Sequence, residues 1–373
     1  MPQGASSEGL LLKDFIAEAV CSLLPLYPEG EARSVVLLLC GDLLGTKSYT
    51  HIIEPGTLVP AEKEDALRRA VERLRAGEPV QYVTGRAEFC GRMFNVNPSV
   101  LIPRGETEQL CAGARREAGR MAREGGPFGQ AAAGAPESGI RILDLCTGSG
   151  CVAWTMALDV PGARVTGVDI SDGALRTAES QPFSAADAGF SAGGAGFSAG
   201  GAGFSAGGAV FSAAGVGSPA GSAGFPMGGA GSPAGSAGLT AAGPACGTWE
   251  APSFVKADVL DTENFPDLGT FALVLSNPPY VRDSEKALMR VNVLDFEPHL
   301  ALFVPDSDPL VFYRAIALLS KRLLAAGGTG MAEINEDLAA PTARIFSDAG
   351  FSGVEVLKDI NDRNRMVVYH KSV

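Results

Sequence analysis

The chain has 373 residues, enough for about two domains, and its hydrophobic fraction of 46% is inflated by Ala and Gly. A formal net charge of −12 and the lack of a basic run exclude a surface built to hold a phosphate backbone, so no direct nucleic-acid binding is expected. Seven cysteines, an odd number scattered without metal-type pairs, point to reduced thiols in a cytoplasmic protein.

The N-terminus, Met1-Pro2-Gln3-Gly4, has no basic segment before its apolar stretch, which argues against a signal peptide. No run approaches the ~20 apolar residues of a membrane span, so no membrane partner is expected. Residues 9–24 place Leu10, Leu11, Leu12, Phe15, Ile16, Ala19, Val20, Leu23 and Leu24 at helical spacing, ended by Pro25 and Pro28. Glu31 to Leu44 reads as a second helix stopped by Gly45, and Pro60 to Ala76 as a third with Gly77 just past its end. Residues 1–80 thus predict a small helical domain without a catalytic constellation, whose functional role is partner recognition.

Residues 81–112 read as a hairpin-and-helix connector. The turn signal Cys90-Gly91-Arg92 lies between Phe89 and Met93-Phe94, and Thr107 to Glu124 has a helical pattern. Residues 113–139, whose small and polar part begins at Gly125, are taken as the linker to a second domain, 140–373. There Arg141 to Leu145 predicts a strand, Cys146 to Gly150 a Gly-rich turn, and Cys151 onward a helix start. Gly148 and Gly150 let backbone approach a ligand, and the helix N-terminus offers free N–H groups. A second strand ends in Asp169, about 20 residues on, where an acid binds a ribose diol. A nucleoside-type ligand follows. It is not held by a phosphate loop, because the Gly-Lys-Ser/Thr signature is absent. Cys146 and Cys151 lie near this loop, but two isolated thiols do not make a zinc site, and no metal is expected.

Residues 182–249 interrupt the alternation. Phe183, Phe190, Phe197, Phe204, Phe211 and Phe225 sit on one seven-residue grid among Gly, Ala and Ser. One apolar anchor per repeat makes no coiled coil, and the segment reads as a disordered low-complexity insertion. A strand from Ser253 to Val259 carries Asp258 near its end. Phe271 to Leu275 is a buried strand running into Ser276-Asn277-Pro278-Pro279-Tyr280. Pro stops the strand and leaves a stiff corner at its carboxyl end, where open α/β sheets place ligands. The Asn277 amide oxygen, a backbone carbonyl and the Tyr280 ring suit a planar –NH2 group, two acceptors for its hydrogens and a ring for its face. Pro309 to Leu324 predicts a helix, Gly327 to Gly330 a turn into a strand, and Thr342 to Ala349 a helix. Phe351–Lys358 and Arg365–His370 make a closing antiparallel pair. Repeated β–α alternation gives an α/β fold with a mostly parallel sheet.

Taken together, these residues resemble the protein-(glutamine-N5) methyltransferases that modify peptide chain release factors. The matching segments are Glu78-Pro79-Val80-Gln81-Tyr82-Val83-Thr84-Gly85, Leu101-Ile102-Pro103-Arg104-Gly105-Glu106-Thr107-Glu108, Asp144 to Gly150, Ser276 to Tyr280, Phe296-Glu297-Pro298 and Asp362-Arg363-Asn364-Arg365. The NPPY corner is shared with enzymes that methylate adenine or protein amides, whereas the segment from Leu101 to Glu108 is more specific to the glutamine branch. The resemblance implies a class I S-adenosylmethionine-dependent methyltransferase with a Rossmann-like, seven-stranded sheet behind a helical N-terminal domain. It implies S-adenosylmethionine as methyl donor and release factors, at the glutamine of a Gly-Gly-Gln motif, as substrate.

By position, the resemblance lays Cys146, Thr147, Gly148, Ser149 and Gly150 along the donor's methionine and ribose. It puts Asp169 on the ribose hydroxyls and Asp258 and Val259 beside the adenine. Asn277 would touch donor and substrate, and Pro278, Pro279 and Tyr280 would complete the amide pocket, with Asn277, Pro278 and Tyr280 carrying catalysis. Cys146 stands where the family has its first Gly, which is tolerable only at negative φ, and Val259 lacks the aromatic ring often found there. Ribosomal-protein glutamine methylation and adenine N6-methylation of DNA or RNA are the alternatives; the latter would need a flipped base and a basic recognition surface.

Overall fold

The computed structural model describes residues 9–124, 139–188 and 249–373. Four helices open the chain: α1 (Leu12–Leu23), α2 (Glu29–Leu44), the short α3 (Thr50–Ile53) and α4 (Ala61–Arg75). Leu12, Phe15, Ile16, Ala19, Val20 and Leu23 fall on one face of α1 and pack on Ala32, Val36 and Leu39 of α2 and on Leu67 and Leu74 of α4. Gly45 ends α2 in the left-handed conformation expected of such a stop. The one-turn α5 (Val80–Thr84) leads to the predicted hairpin of β1 (Arg86–Phe89) and β2 (Arg92–Asn95).

Helix α6 (Gly105–Glu124) runs well past residue 112. The helical pattern expected from Thr107 to Glu124 is thus present, and the connector–linker division drawn at residue 112 falls inside that helix. Its Leu110, Cys111, Ala114, Ala118 and Met121 recur at helical spacing and are buried. The remaining stretch of the expected linker, 125–138, lies outside the described residues.

The second domain is built on β3 (Arg141–Leu145), α7 (Cys151–Asp159), β4 (Arg164–Asp169), α8 (Asp172–Glu179), β5 (Ser253–Lys256), β6 (Phe271–Ser276), β7 (Val281–Arg282), α9 (Val291–Leu294), β8 (Phe303–Val304), α10 (Val311–Leu323), β9 (Leu324–Glu333), α11 (Ala339–Asp348), β10 (Ser352–Lys358) and β11 (Asn364–His370). Seven strands form one sheet in the order β10-β11-β9-β6-β3-β4-β5. The five from β9 to β5 pair in parallel, and β11 joins antiparallel to both β9 and β10. The period-two alternation of β3 sends Ile142 into the layer covered by α6 and α7, and Leu143 and Leu145 into the layer covered by α10 and α11. Asp159, at the end of α7, accepts from Arg92 at 2.7 Å and Arg115 at 2.6 Å, tying hairpin and α6 to the sheet.

Two local expectations change. The predicted glycine turn at 327–330 falls within β9 as an irregularity: Gly327 has φ +73°, the register against β6 shifts from Leu324 to Thr329, and a Cβ on Gly330 would lie 2.0 Å from the Tyr369 ring of the neighbouring strand. The edges of the predicted insertion are packed: the ring centroid of Phe183 lies 4.8 Å from that of Phe94 and 5.6 Å from that of Trp154, and Trp249 also faces Trp154. The repeats from 189 to 248 lie outside the described residues. Among the described residues no helix is long and apolar enough to cross a membrane.

Candidate active site

From β3 the chain moves outward to β4 and β5, then returns to the other side of β3 as β6. The sheet therefore changes direction between β3 and β6, and crevices for ligands open at the carboxyl ends of strands at such a point. The register shows what meets there. Leu145 lies beside Ser276 on one side and Val168 on the other. The next residues of the three strands, Cys146, Asn277 and Asp169, thus emerge side by side.

The Gly-rich turn is held from beneath. The Thr147 amide donates to the Val168 carbonyl at 2.9 Å, and the Thr147 hydroxyl donates to Asp144 at 2.5 Å. Asp144 is buried in the strand, and burial pushes its carboxyl up to about 7, with the nearby Asp169 charge acting in the same direction and the Thr147 and Ala153 donors opposing it. The two glycines differ in purpose. Gly148 has φ +54° and open space where a Cβ would stand, so ligand can approach its backbone. Gly150 has φ +78°, and a Cβ there would lie 2.9 Å from Ala178, so its constraint is packing against α8 and not ligand approach. Cys146 adopts φ +61°, contrary to the negative value its side chain calls for. A left-handed non-glycine residue costs about 1–3 kcal/mol. The thiol is drawn into the core layer, and burial, followed by the Asp169 and Asp144 charges, raises its pKa well above the ordinary thiol value. Ser149 is buried with its hydroxyl lacking a protein partner.

Asp169 accepts from the Gly148 amide and from the Ser171 amide, each at 2.9 Å and each on a different oxygen. It links the turn to the start of α8 while each oxygen keeps a lone pair, and burial raises its pKa against those donors. The Ala257 amide donates to the Asp169 carbonyl at 3.1 Å, bringing the end of β5 alongside. Asp258 lies past that strand, in a turn where it accepts from the Leu260 amide at 2.8 Å. Val259 is 4% exposed and packs in the core with Leu143 and Leu145, so its side chain does not line an open crevice. At most its backbone can face a ligand.

At the NPPY corner Pro278 and Pro279 are buried and stiffen the chain, while Asn277 and Tyr280 are half-buried. Asn277 donates through Nδ2 to the Thr107 hydroxyl at 2.9 Å. Tyr280 donates its hydroxyl to Glu333 at 2.7 Å, and Thr107 donates to the other Glu333 oxygen at 2.7 Å. Burial raises the pKa of Glu333, opposed by those two donors. Thr107, Glu333 and Asp144 were not among the residues expected to shape the site. A signal existed in the two acids, each standing alone in an apolar strand. Thr107 was marked only as a member of the Leu101–Glu108 segment, with nothing to tell it from its neighbours there. His299, by contrast, is exposed and bonds the Leu294 carbonyl at 2.7 Å.

The sheet order, with its antiparallel closing pair and its helical N-terminal domain, defines a class I S-adenosylmethionine-dependent methyltransferase. Residues 16–85 match the family model described as the PrmC N-terminal domain. The release factor glutamine methyltransferase of Bacteroides thetaiotaomicron is 32% identical over 350 residues, covering 94% of this chain and 96% of that protein. The enzyme of that name from Neisseria gonorrhoeae is 31% identical over 344 residues, with 91% and 93% covered. A crystal structure titled protein-(glutamine-N5) methyltransferase (release factor-specific), from Alicyclobacillus acidocaldarius, is 22% identical, covers 75% of this chain and all (100%) of that one, and superposes with a TM-score of 0.34. The chain belongs to the release factor glutamine methyltransferase family and is an enzyme of that class.

Proposed function

We propose that the protein transfers a methyl group from S-adenosylmethionine to the side-chain amide nitrogen of the glutamine in the Gly-Gly-Gln motif of peptide chain release factors. The observation that carries this reading is the common emergence of Cys146, Asn277 and Asp169 from three adjacent, registered strands. It brings Asp169, read as the ribose-binding acid, and Asn277, read as the amide acceptor, to the two sides of one Gly-rich turn, which supports the reading.

The residues present fit the donor. Gly148 leaves a cradle that a Cβ would fill, Asp169 keeps free acceptor capacity for a ribose diol, and Ser149 offers a buried hydroxyl without a partner. Asp169, at the end of β4 beside the turn, puts a carboxylate rather than a basic side chain there, which suits a cationic sulfonium better than a phosphate. Cys146 to Gly150 would border the methionine and ribose, and the backbone at Asp258 and Val259 the adenine. When bound, the donor supplies an electrophilic methyl on a cationic sulfur.

A carboxamide nitrogen is a poor nucleophile because its lone pair is delocalised into the carbonyl. Asn277 Oδ1 and the Pro278 carbonyl would accept its two hydrogens and favour a pyramidal nitrogen, while the Tyr280 ring covers the amide face. The N–CH3 bond forms as the S–CH3 bond breaks, and the nitrogen then loses a proton to solvent. Positioning and electrostatics perform the work, so no histidine base is needed. The helical domain would dock the release factor. With its thiols scattered without metal-type pairs, the enzyme is read as cytoplasmic.

The test incubates the full chain with methyl-labelled S-adenosylmethionine and purified release factor, then locates label by peptide mass spectrometry. One methyl on the Gly-Gly-Gln glutamine is expected. Label in adenine of added nucleic acid, with none on the glutamine, would overturn the substrate assignment.

A further inference from the structure

The contacts behind Asn277 determine which end of its carboxamide faces the crevice. Glu333 ends β9, the strand beside β6, where Ala332 lies opposite Ser276. It is 3% exposed, and its two oxygens are approached by the hydroxyls of Thr107 and Tyr280, both at 2.7 Å. A threonine hydroxyl has one proton. Spent on the Glu333 carboxylate, it leaves only lone pairs facing Asn277, which must then present its –NH2 to Thr107, as the 2.9 Å bond has it. The Asn277 oxygen is thereby turned to the other side.

We propose that Thr107 and Glu333 are positioning residues that set the polarity of the Asn277 carboxamide, keeping its oxygen, and not its nitrogen, toward the substrate amide. The proposal rests on the reading of Asn277 as the acceptor for the target glutamine. Without this brace a primary amide can rotate by half a turn at little steric cost. It would then offer N–H where the substrate nitrogen also carries N–H, and the pair would repel. Three elements distant in sequence supply the parts: the first turn of α6, the end of β9 and the corner after β6. Tyr280 shares the same carboxylate, so the ring that covers the substrate amide and the group that accepts its hydrogens are anchored on one buried acid.

The experiment uses the full-length chain with release factor and labelled S-adenosylmethionine, reading kcat, KM for release factor and donor Kd for wild type, T107V, T107S and E333Q. T107V keeps the volume of the side chain and removes the hydroxyl. It should lower kcat by about tenfold to a hundredfold, the size of a misorientation effect, with donor Kd near wild type. T107S retains the hydroxyl and should recover most of kcat. E333Q is isosteric, but its –NH2 can donate to Thr107, reverse the chain and turn the Asn277 nitrogen outward, so kcat should fall here too. If T107V does not fold, E333Q carries the same test. T107V or E333Q at wild-type kcat overturns the proposal, as does loss of donor affinity in step with kcat or failure of T107S to recover. A wild type that labels glutamine while T107V matches it sinks this proposal alone. A wild type inactive on glutamine sinks the substrate reading and the proposal with it.

Discussion

Phe183 separates two views of the long Gly/Ala/Ser/Phe segment. As one of six phenylalanines on a seven-residue grid it looks like the first unit of a solvated repeat. In the fold it stands edge-on to the fully buried Phe94, centroids 4.8 Å apart at 65°, and tilts against Trp154 at 5.6 Å. Truncating a fully buried Phe to Ala costs about 3–5 kcal/mol, and Phe183 is half-buried, so Phe183→Ala should cost about 1.5–3 kcal/mol. At 2–4 °C per kcal/mol for a domain of this size, that is a fall in Tm of about 3–12 °C. The companion experiment shortens the chain in two ways. Replacing residues 189–248 by a short Gly/Ser linker keeps Phe183 and Trp249 and should melt close to wild type, with turnover retained, because the entropy of joining two chain ends depends only weakly on the length between them. Replacing 182–249 removes both rings and should melt lower by at least the Phe183→Ala amount. Thermal melts of the three proteins beside wild type decide it. If the two shortened chains melt alike, or Phe183→Ala melts like wild type, the rings contribute nothing and the packed edge is not part of the core.

Asp169→Ala should raise the donor Kd about tenfold to a hundredfold, the loss of a charge-assisted acceptor worth about 1.5–3 kcal/mol, and should also lower Tm, since the Gly148 and Ser171 amides lose their partner; an unchanged Kd by calorimetry would remove Asp169 from the donor site. Asn277→Ala should lower turnover on the glutamine peptide by ~10²–10³ with a much smaller effect on donor affinity, and near wild-type turnover would reduce NPPY to a stiff turn. Tyr280→Phe leaves one oxygen of buried Glu333 without its donor, so it should lose stability by about 1–3 kcal/mol as well as some turnover, and a silent Tyr280→Phe would show that this bond is dispensable. Asp144 sits at about 7 in the fold, above the ordinary aspartate value near ~3.9, so its contribution is full below the unfolded value and is lost as pH rises through the folded one. Asp144→Asn carries no charge at any pH and should therefore gain in Tm on wild type as pH rises from about 4 to about 7; a pH-independent difference would refute the burial argument.

What was legible in the chain was whatever is local. The apolar run of β6 broken by two prolines, the turn after β3 and the acid ending β4 are each contained in a few residues, and all three appear where expected. The mistakes arose where a distant neighbour overrules local chemistry. Gly327 to Gly330 has the composition of a turn, yet Gly330 is glycine because the ring of Tyr369 occupies the place of its Cβ. The helical pattern to Glu124 was legible, but the division drawn at residue 112 was not a structural boundary, since Ala114, Ala118 and Met121 are buried along the same helix. Cys146 keeps the left-handed backbone of a glycine because the turn is clamped by Thr147 and Asp144 on either side. The Thr107–Glu333 bond joins residues 226 apart, and no window along the chain contains both.

The same long-range logic accounts for the family segments that carry no chemistry of their own. Tyr82, from Glu78 to Gly85, donates to the Val100 carbonyl at 2.5 Å, and its ring packs with Val96, Val100, Ile102 and Phe296. Glu297, beside that Phe296, is 4% exposed; it accepts from the Ile102 amide at 3.2 Å and from Arg104 at 2.6 Å. Three motifs that are scattered in sequence therefore meet in one joint between the helical domain and the sheet. Arg104 is also the residue before α6, so the joint fixes where that helix begins. Three residues later comes Thr107, which reaches Asn277. The segment after the corner thus holds the chain before α6, and α6 in turn holds the corner. A loop of contacts closed in this way has no free end, and a side chain at the crevice is set by packing at the joint as much as by its own neighbours. The segments from Glu78 to Gly85, Leu101 to Glu108 and Phe296 to Pro298 thus hold a helix start against the Asn277 corner through contacts within the chain alone.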